Sequence, residues 1–329
     1  MRIGKFLLTT TVLTGLGAAG LAVFAAVTAR KVETALPPQG RFIEVDGARL
    51  HYLDEGSGPA IVMVHGLGGQ MRNFTYSLVA QLKDRFRVIV VERPGSGYSI
   101  RPPGASATLS AQARTLAAFI TTLGLEKPLL VGHSLGGAIC LAIALNHPEC
   151  ASGLALISPA TQPQYIVPDP FKGAAIAQPW LRTLVAWTLA TPMGMLQGPE
   201  TVEMLFGPEP APADFRTRGG GLLALRPWAF QTASTDLMAV NDDLPGLVDR
   251  YPTLKLPVGV LFGDSDLILD PQFHGDSLIH QIEGVEVEAI EGGGHMIPLT
   301  QPERCAEFIT RVWRRAEADG SRPLAANLA

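Results

Sequence analysis

The chain has 329 residues, 47% of them hydrophobic and 17% charged, which is enough to bury one large core and still carry an inserted subdomain. That composition excludes a disordered chain. A net charge of -4 without a concentrated basic block excludes the electrostatic footprint of a nucleic-acid binder.

Phe6 to Ala29 holds no charged residue over 24 positions. As a helix it would be about 36 Å long, enough to cross a bilayer core. The run exceeds the roughly 7–15 residues of a signal h-region, so a retained single-pass anchor is expected over residues 1–31. Val27-Thr28-Ala29 offers the competing reading of a cleavage site. Arg2 and Lys5 precede the run and Arg30 and Lys31 follow it, so the side of the membrane that holds the rest of the chain stays open. Thr14, Ala18, Ala22 and Ala26 form a small-residue stripe through which two such helices could approach as a homodimer. Residues 32–41, with Pro37 and Pro38, read as a linker.

Arg41–Val45 and Arg49–Asp54 flank Asp46-Gly47 as a hairpin. Strand-length apolar runs then recur at Ala60–Val64, Arg87–Val91, Pro128–Val131, Gly153–Ile157, Val258–Phe262 and Val285–Ile290. Helix-length segments separate most of them: Met71–Leu82, Ala111–Leu123, Leu135–Asn146, Pro271–Gln281 and, after the last, Pro302–Arg315. Buried strands alternating with helices predict a mostly parallel sheet covered on both faces. The alternation divides into a first core part over residues 42–159 and a second over 252–317. Between them, 160–251 is too long for a loop and is dense in Pro, Gly, Met and Trp, so it is expected to form a helical cap. Residues 318–329 read as a flexible tail. Cys140, Cys150 and Cys305 form no metal-ligand cluster and read as buried thiols.

Ser134 sits in Gly132-His133-Ser134-Leu135-Gly136, after an apolar strand and before a helix-forming stretch. A serine on so sharp a turn needs small residues two positions away on each side, and both are glycine. A serine hydroxyl needs a base, and the base a group that holds its tautomer. His295 lies in a Gly-rich loop after the last strand, and Asp266 in Gly263-Asp264-Ser265-Asp266 after the strand before it. Asp264 is the less favoured acid, since an aspartate so close to a strand end often bonds its own turn. Asp270, before Pro271, reads as a helix cap. His65-Gly66-Leu67-Gly68-Gly69 follows the Ala60–Val64 strand, and its glycines let backbone N–H groups turn toward an oxyanion. Leu67 and Leu135 are the expected donors, with His65 bracing the loop.

These motifs, HGLGG, ERPGSGYS from Glu92 to Ser99, GHSLGG, GDSD and GGGHMIP, occur in an order that resembles the serine hydrolases of the α/β-hydrolase fold over roughly Phe42 to Arg315. Glu92 departs from the aspartate common before Arg-Pro-Gly in that family. The resemblance implies an eight-stranded, mostly parallel sheet covered by helices, and a Ser134–His295–Asp266 triad needing no cofactor or metal. With its N-terminal helix the chain resembles membrane-anchored esterases, monoacylglycerol lipases and phospholipases A. That likeness implies a membrane location and hydrolysis of acyl esters such as lysophospholipids, phospholipids or monoacylglycerols. A small-ester esterase, a carbon–carbon bond hydrolase and a catalytically silent membrane-tethered module are the alternatives.

Overall fold

The computed structural model describes residues 2–320, with side chains from residue 15 onward. Strands β1 (Arg41–Val45) and β2 (Ala48–Glu55) form a hairpin whose two turn residues, Asp46 and Gly47, have φ of 51° and 75°. Left-handed backbone at both central positions matches the twist of the flanking strands. β2 pairs antiparallel with β4 (Arg87–Val91). From there β3 (Ala60–Val64), β5 (Leu129–His133), β6 (Gly153–Ile157), β7 (Val258–Gly263) and β8 (Glu286–Ile290) run parallel, in the order β1-β2-β4-β3-β5-β6-β7-β8. The interiors of the central strands β3 to β7 are apolar and buried because both faces are covered, whereas the edge strand β8 alternates with Glu286 and Glu288 and stays part-exposed. Val62, Val64, Ile89 and Val91 enter one core layer, while Ile61, Met63, Val88 and Val90 enter the other, following the two-residue period of a strand.

The helices that cover the sheet differ from the expected segments in two places. Met71–Leu82 is not one helix: α2 (Arg72–Thr75) and α3 (Leu78–Leu82) are separated at Ser77, whose φ of -149° leaves helical space. Pro271–Gln281 ends as an α-helix after one turn, α9 (Pro271–His274), and resumes beyond Gly275 as a 3₁₀ turn. The other core helices are α4 (Leu109–Thr122), capped by the Thr108 hydroxyl, α5 (Leu135–Asn146), α10 (Ile297–Thr300) and α11 (Pro302–Ala318). α11 runs into the first residue of the expected tail, and residues 321–329 of that tail lie outside the described residues. The cap segment holds α6 (Pro179–Trp187), α7 (Ala190–Phe206) and α8 (Pro227–Val248). Cys140, Cys150 and Cys305 are buried free thiols, and burial pushes all three pKa values up.

The N-terminal helix corrects the expected linker. α1 runs from Arg2 to Ala35, so the first part of residues 32–41 is helix and only a short Pro-containing segment separates it from β1. Its last turns are held by packing. Ala25, Ala29, Val32 and Leu36 fall three or four residues apart on one buried face, and Val32 and Leu36 pack with Leu223 of a 3₁₀ turn in the cap. Glu33 pairs with the buried Arg226 at 3.4 Å, and the Tyr98 hydroxyl donates to the Leu36 carbonyl. Thr14 of the small-residue stripe has no described side chain, whereas Ala25 beside that stripe faces the body of the protein.

Burying Val32 and Leu36 is worth ~1.5–3 kcal/mol each. A chain cut after Leu36 is therefore expected to melt at least about 5 °C below a chain cut after Phe24. Thermal unfolding of the two truncated proteins measures this; coincident melts would show that the docked turns add nothing.

Candidate active site

Ser134 stands between β5 and α5 with φ 54° and ψ -122°, a left-handed backbone that costs a non-glycine residue about 1–3 kcal/mol. The turn is locked from both ends: the Ser134 N–H donates to Ile157 of β6, and its carbonyl accepts from Gly137 and Ala160. The sharpness explains the flanking glycines. A Cβ on Gly136 would lie 2.0 Å from the Val64 carbonyl oxygen, and one on Gly132 would lie 2.6 Å from the Gly136 carbonyl oxygen. β5 extends to His133, so the serine sits directly at its carboxyl end.

His295 and Asp266 are brought together from two loops. The His295 Nδ1–H donates to Asp266 Oδ2 at 2.7 Å, while Asp266 Oδ1 accepts from the Ile268 and Leu269 N–H groups at 2.8 and 3.0 Å. Burial acts to raise the Asp266 pKa, but the facing His295 and the two N–H groups outweigh it and hold the carboxyl below its usual range. Asp264 does something else. Its carboxylate accepts from the Gly292 N–H and the Ser265 hydroxyl, tying its own turn to the His295 loop. Asp270 caps α9 through the Gln272 and Phe273 N–H groups. Ser134 and His295 line one small cavity of about 70 Å³, with Gly66, Leu67, Gly68 and Gly69 on its wall.

The loop after β3 presses on the serine. A Cβ on Gly66 would lie 2.8 Å from Ser134 Cβ, which leaves glycine as the residue that fits. Leu67 and Leu135 line a larger cavity of about 300 Å³ together with Ser134. Leu135 is the first residue of α5, so its N–H has no carbonyl one turn back to bond. His65 is buried and tied at both ring nitrogens: Nδ1–H donates to the Gly66 carbonyl at 2.9 Å and Nε2 accepts the Arg93 N–H at 3.1 Å. Burial, with help from the Arg93 charge, drives its pKa well down.

Five residues around the site carry no role read from the sequence: Arg93, Arg101, Asp236, Glu209 and His133. Arg93, fully buried in the ERPGSGYS segment, donates to the His65 and Gly66 carbonyls at 3.1 and 3.0 Å, to Gln112 at 2.8 Å and to Asp236 of α8 at 2.6 Å. Arg101 shares the same carboxylate. Glu209, beyond α7, accepts from the Gly294 N–H and from Thr300 and Gln301 at 2.7–3.0 Å, and so holds the residue preceding His295. His133 donates from Nε2 to the His295 carbonyl at 3.0 Å, and burial followed by His295 lowers its pKa to about 3. Arg93 lies in a motif that could be flagged by eye, but nothing local marks Asp236 as its counterpart or Glu209 as the partner of the His295 loop. Glu92, the departure from the family pattern, is buried against His51 at 2.8 Å and accepts the Tyr98 N–H.

Asp236→Ala would leave two buried or half-buried guanidinium groups facing no carboxylate, and is expected to cost about 3–5 kcal/mol of stability, read from urea unfolding. An unchanged midpoint would contradict the bracing role. A second expectation concerns pH. His65, His133 and His274 are all buried with lowered pKa values, His133 at about 3 and His274 at about 4. The unfolded chain therefore binds protons that the native one does not, so their contribution is complete above about pH 6.5 and is lost as pH falls toward the native values. Between pH 7 and 5.5 the three together are expected to remove about 3–4 kcal/mol. Unfolding by urea at the two pH values checks this, and the single variant His133→Asn should recover part of the loss.

Comparison with known proteins places the fold. The alpha/beta hydrolase fold family matches residues 59–302. An uncharacterized protein of Mycobacterium tuberculosis is 27% identical over 307 residues, 88% of this chain and 85% of that protein. A thermophilic esterase from Thermogutta terrifontis is 26% identical, with a TM-score of 0.66 over 84% of this chain and 99% of the esterase. A bacterial membrane phospholipase A is 24% identical, with a TM-score of 0.65 over 95% of this chain and 99% of its own. Sheet order, serine turn and family match converge, and the chain belongs to the α/β-hydrolase family as a hydrolase of that fold.

Proposed function

We propose that the chain is a membrane-anchored serine hydrolase of carboxylic esters, with Ser134 as nucleophile, His295 as base and Asp266 as the group that orients His295. The observation that carries this reading is the 2.7 Å His295–Asp266 bond beside a serine held at φ 54°. With its Nδ1 proton engaged by Asp266, His295 keeps Nε2 as an acceptor for the serine proton. Ser134 Oγ attacks the ester carbonyl, the Leu67 and Leu135 N–H groups stabilise the oxyanion, and the protonated His295 returns the proton to the departing alcohol. Water activated by the same imidazole then hydrolyses the acyl-enzyme. The chemistry needs no cofactor or metal.

The acyl portion is lipid-like. The 300 Å³ cavity beside Ser134 is walled by Leu135, Phe171, Leu237, Met238, Val240 and Leu244, which suits a hydrocarbon chain. The apolar stretch of α1 over Gly15–Ala35 is long enough to cross a bilayer, and its exposed side carries Leu16, Val23, Phe24 and Val27. The structural likeness to proteins named as an esterase and a membrane phospholipase A supports the same class. Lysophospholipids, phospholipids and monoacylglycerols are the proposed substrates.

Ser134→Ala should abolish hydrolysis of short and medium-chain p-nitrophenyl esters and labelling by a fluorophosphonate. Asp266→Asn should lower kcat by about four orders of magnitude and Asp264→Asn by far less. Wild-type protein that neither turns over the esters nor takes the label would end the enzyme reading, and the opposite ranking of the aspartates would end the acid assignment.

A further inference from the structure

The outer surface of the cap is apolar where a water-facing surface would be charged. On α6, Trp180, Leu184 and Trp187 are spaced i, i+4, i+7 and all are exposed, Trp180 by 68%. At the start of α7, Leu189, Met193 and Leu196 repeat that spacing, with Leu196 exposed by 75%. Two successive helices thus turn an apolar stripe outward, the reverse of a soluble protein's surface helix. Charge follows the same pattern. From Gly173 to Pro199 Arg182 is the sole charged residue. It is buried, with its guanidinium spent on the Ile176 carbonyl and the Ser234 and Thr235 hydroxyls, so this stretch offers the solvent no charge.

α1 packs against both α6 and α7, and its far side carries Val23, Phe24 and Val27 in the open. The exposed cap stripes and the apolar helix are therefore neighbours. The opposite side of α7 is equally informative: Gly194, Gly198, Thr201, Val202 and Leu205, offset by half a turn from the outer stripe, line a cavity of about 390 Å³. That cavity shares Gly68, Gly69, Asn73, Leu205 and Phe215 with the small cavity at Ser134 and His295.

The geometry points to a lipid surface as the occupant of the outer face of α6 and α7: these helices lie in the bilayer interface beside α1, with Trp180 and Trp187 at headgroup depth. Tryptophan is favoured there because its ring is apolar and its N–H can stay wet. The inference rests on the reading of α1 as a membrane-crossing helix. It adds that the cap is itself a membrane-contacting element, with one helix between the lipid and the cavities that lead to Ser134.

The test uses the full-length protein in vesicles of phosphatidylethanolamine and phosphatidylglycerol. A nitroxide is attached at one introduced cysteine in turn, Leu184→Cys, Leu196→Cys, Leu16→Cys on α1 or Glu317→Cys on α11, while the buried native cysteines stay unlabelled. Collision with oxygen, which partitions into lipid, is compared with collision with a water-soluble nickel chelate, and retained ester hydrolysis reports that each variant folds. The expected result is an oxygen-to-nickel ratio at 184 and 196 several-fold above that at 317. A ratio equal to that at 317, with 16 lipid-exposed, overturns the cap contact and leaves the anchor standing. A water-like ratio at 16 as well overturns both. Spin–spin broadening at 184 or 196 would assign the face to a second copy of the chain and likewise overturn the proposal.

Discussion

Arg93 carries a full charge with no surface exposed to water, and its acceptors come from three other parts of the molecule. A buried guanidinium is tolerated only when its N–H groups are satisfied and a carboxylate faces it. Here the carboxylate comes from α8 of the cap, the amide oxygen from α4, and the two carbonyls from the loop after β3 that touches Ser134. The conformation of that loop, the seating of the cap and the end of β4 are consequently one condition rather than three. Burial pulls the Arg93 pKa down while Asp236 pulls it back, the balance expected of an ion pair that serves arrangement more than stability.

The imidazoles around the serine are sorted by the same rule. His65, His133 and His274 are sealed from water, and each is driven toward the neutral form by burial. His274, for instance, accepts two backbone N–H groups at Nδ1 and donates from Nε2 to Gln164, so its tautomer is fixed by its partners. His295 alone of those near Ser134 has a carboxylate at hydrogen-bond distance. That carboxylate is Asp266, held at 2.7 Å from Nδ1. Geometry thus singles out one ring among several that are chemically alike.

Much of the site could be read from the sequence because its rules are local. Two glycines flanking a serine, a glycine run before a histidine and an aspartate after a strand each follow from backbone sterics within a few residues. The strands were equally legible, since five-residue apolar runs bounded by turns leave little choice. What escaped was long-range. Arg93 and Asp236 are 143 positions apart and Glu209 and Gly294 are 85 apart, and no spacing predicts such pairs. The break at Ser77 escaped because apolar periodicity continues through it while the backbone does not. At the N-terminus, apolar content alone marked Phe6 to Ala29 and hid the three-to-four-residue rhythm of Ala25, Ala29, Val32 and Leu36, which belongs to protein packing.

The continuity of α1 into its docked turns removes a spacer. With helix up to Ala35 and Glu33 clasped by Arg226, the catalytic body has no tether on which to swing. On the proposed reading of α1 as a membrane-crossing helix, its orientation to the membrane normal is inherited from the tilt of that helix, and its reach is limited to what lies directly under the cap. With a lipid as the proposed substrate, encounter would then depend on lateral diffusion in two dimensions, and bilayer fluidity and thickness, which set lipid mobility and helix tilt, would become determinants of turnover.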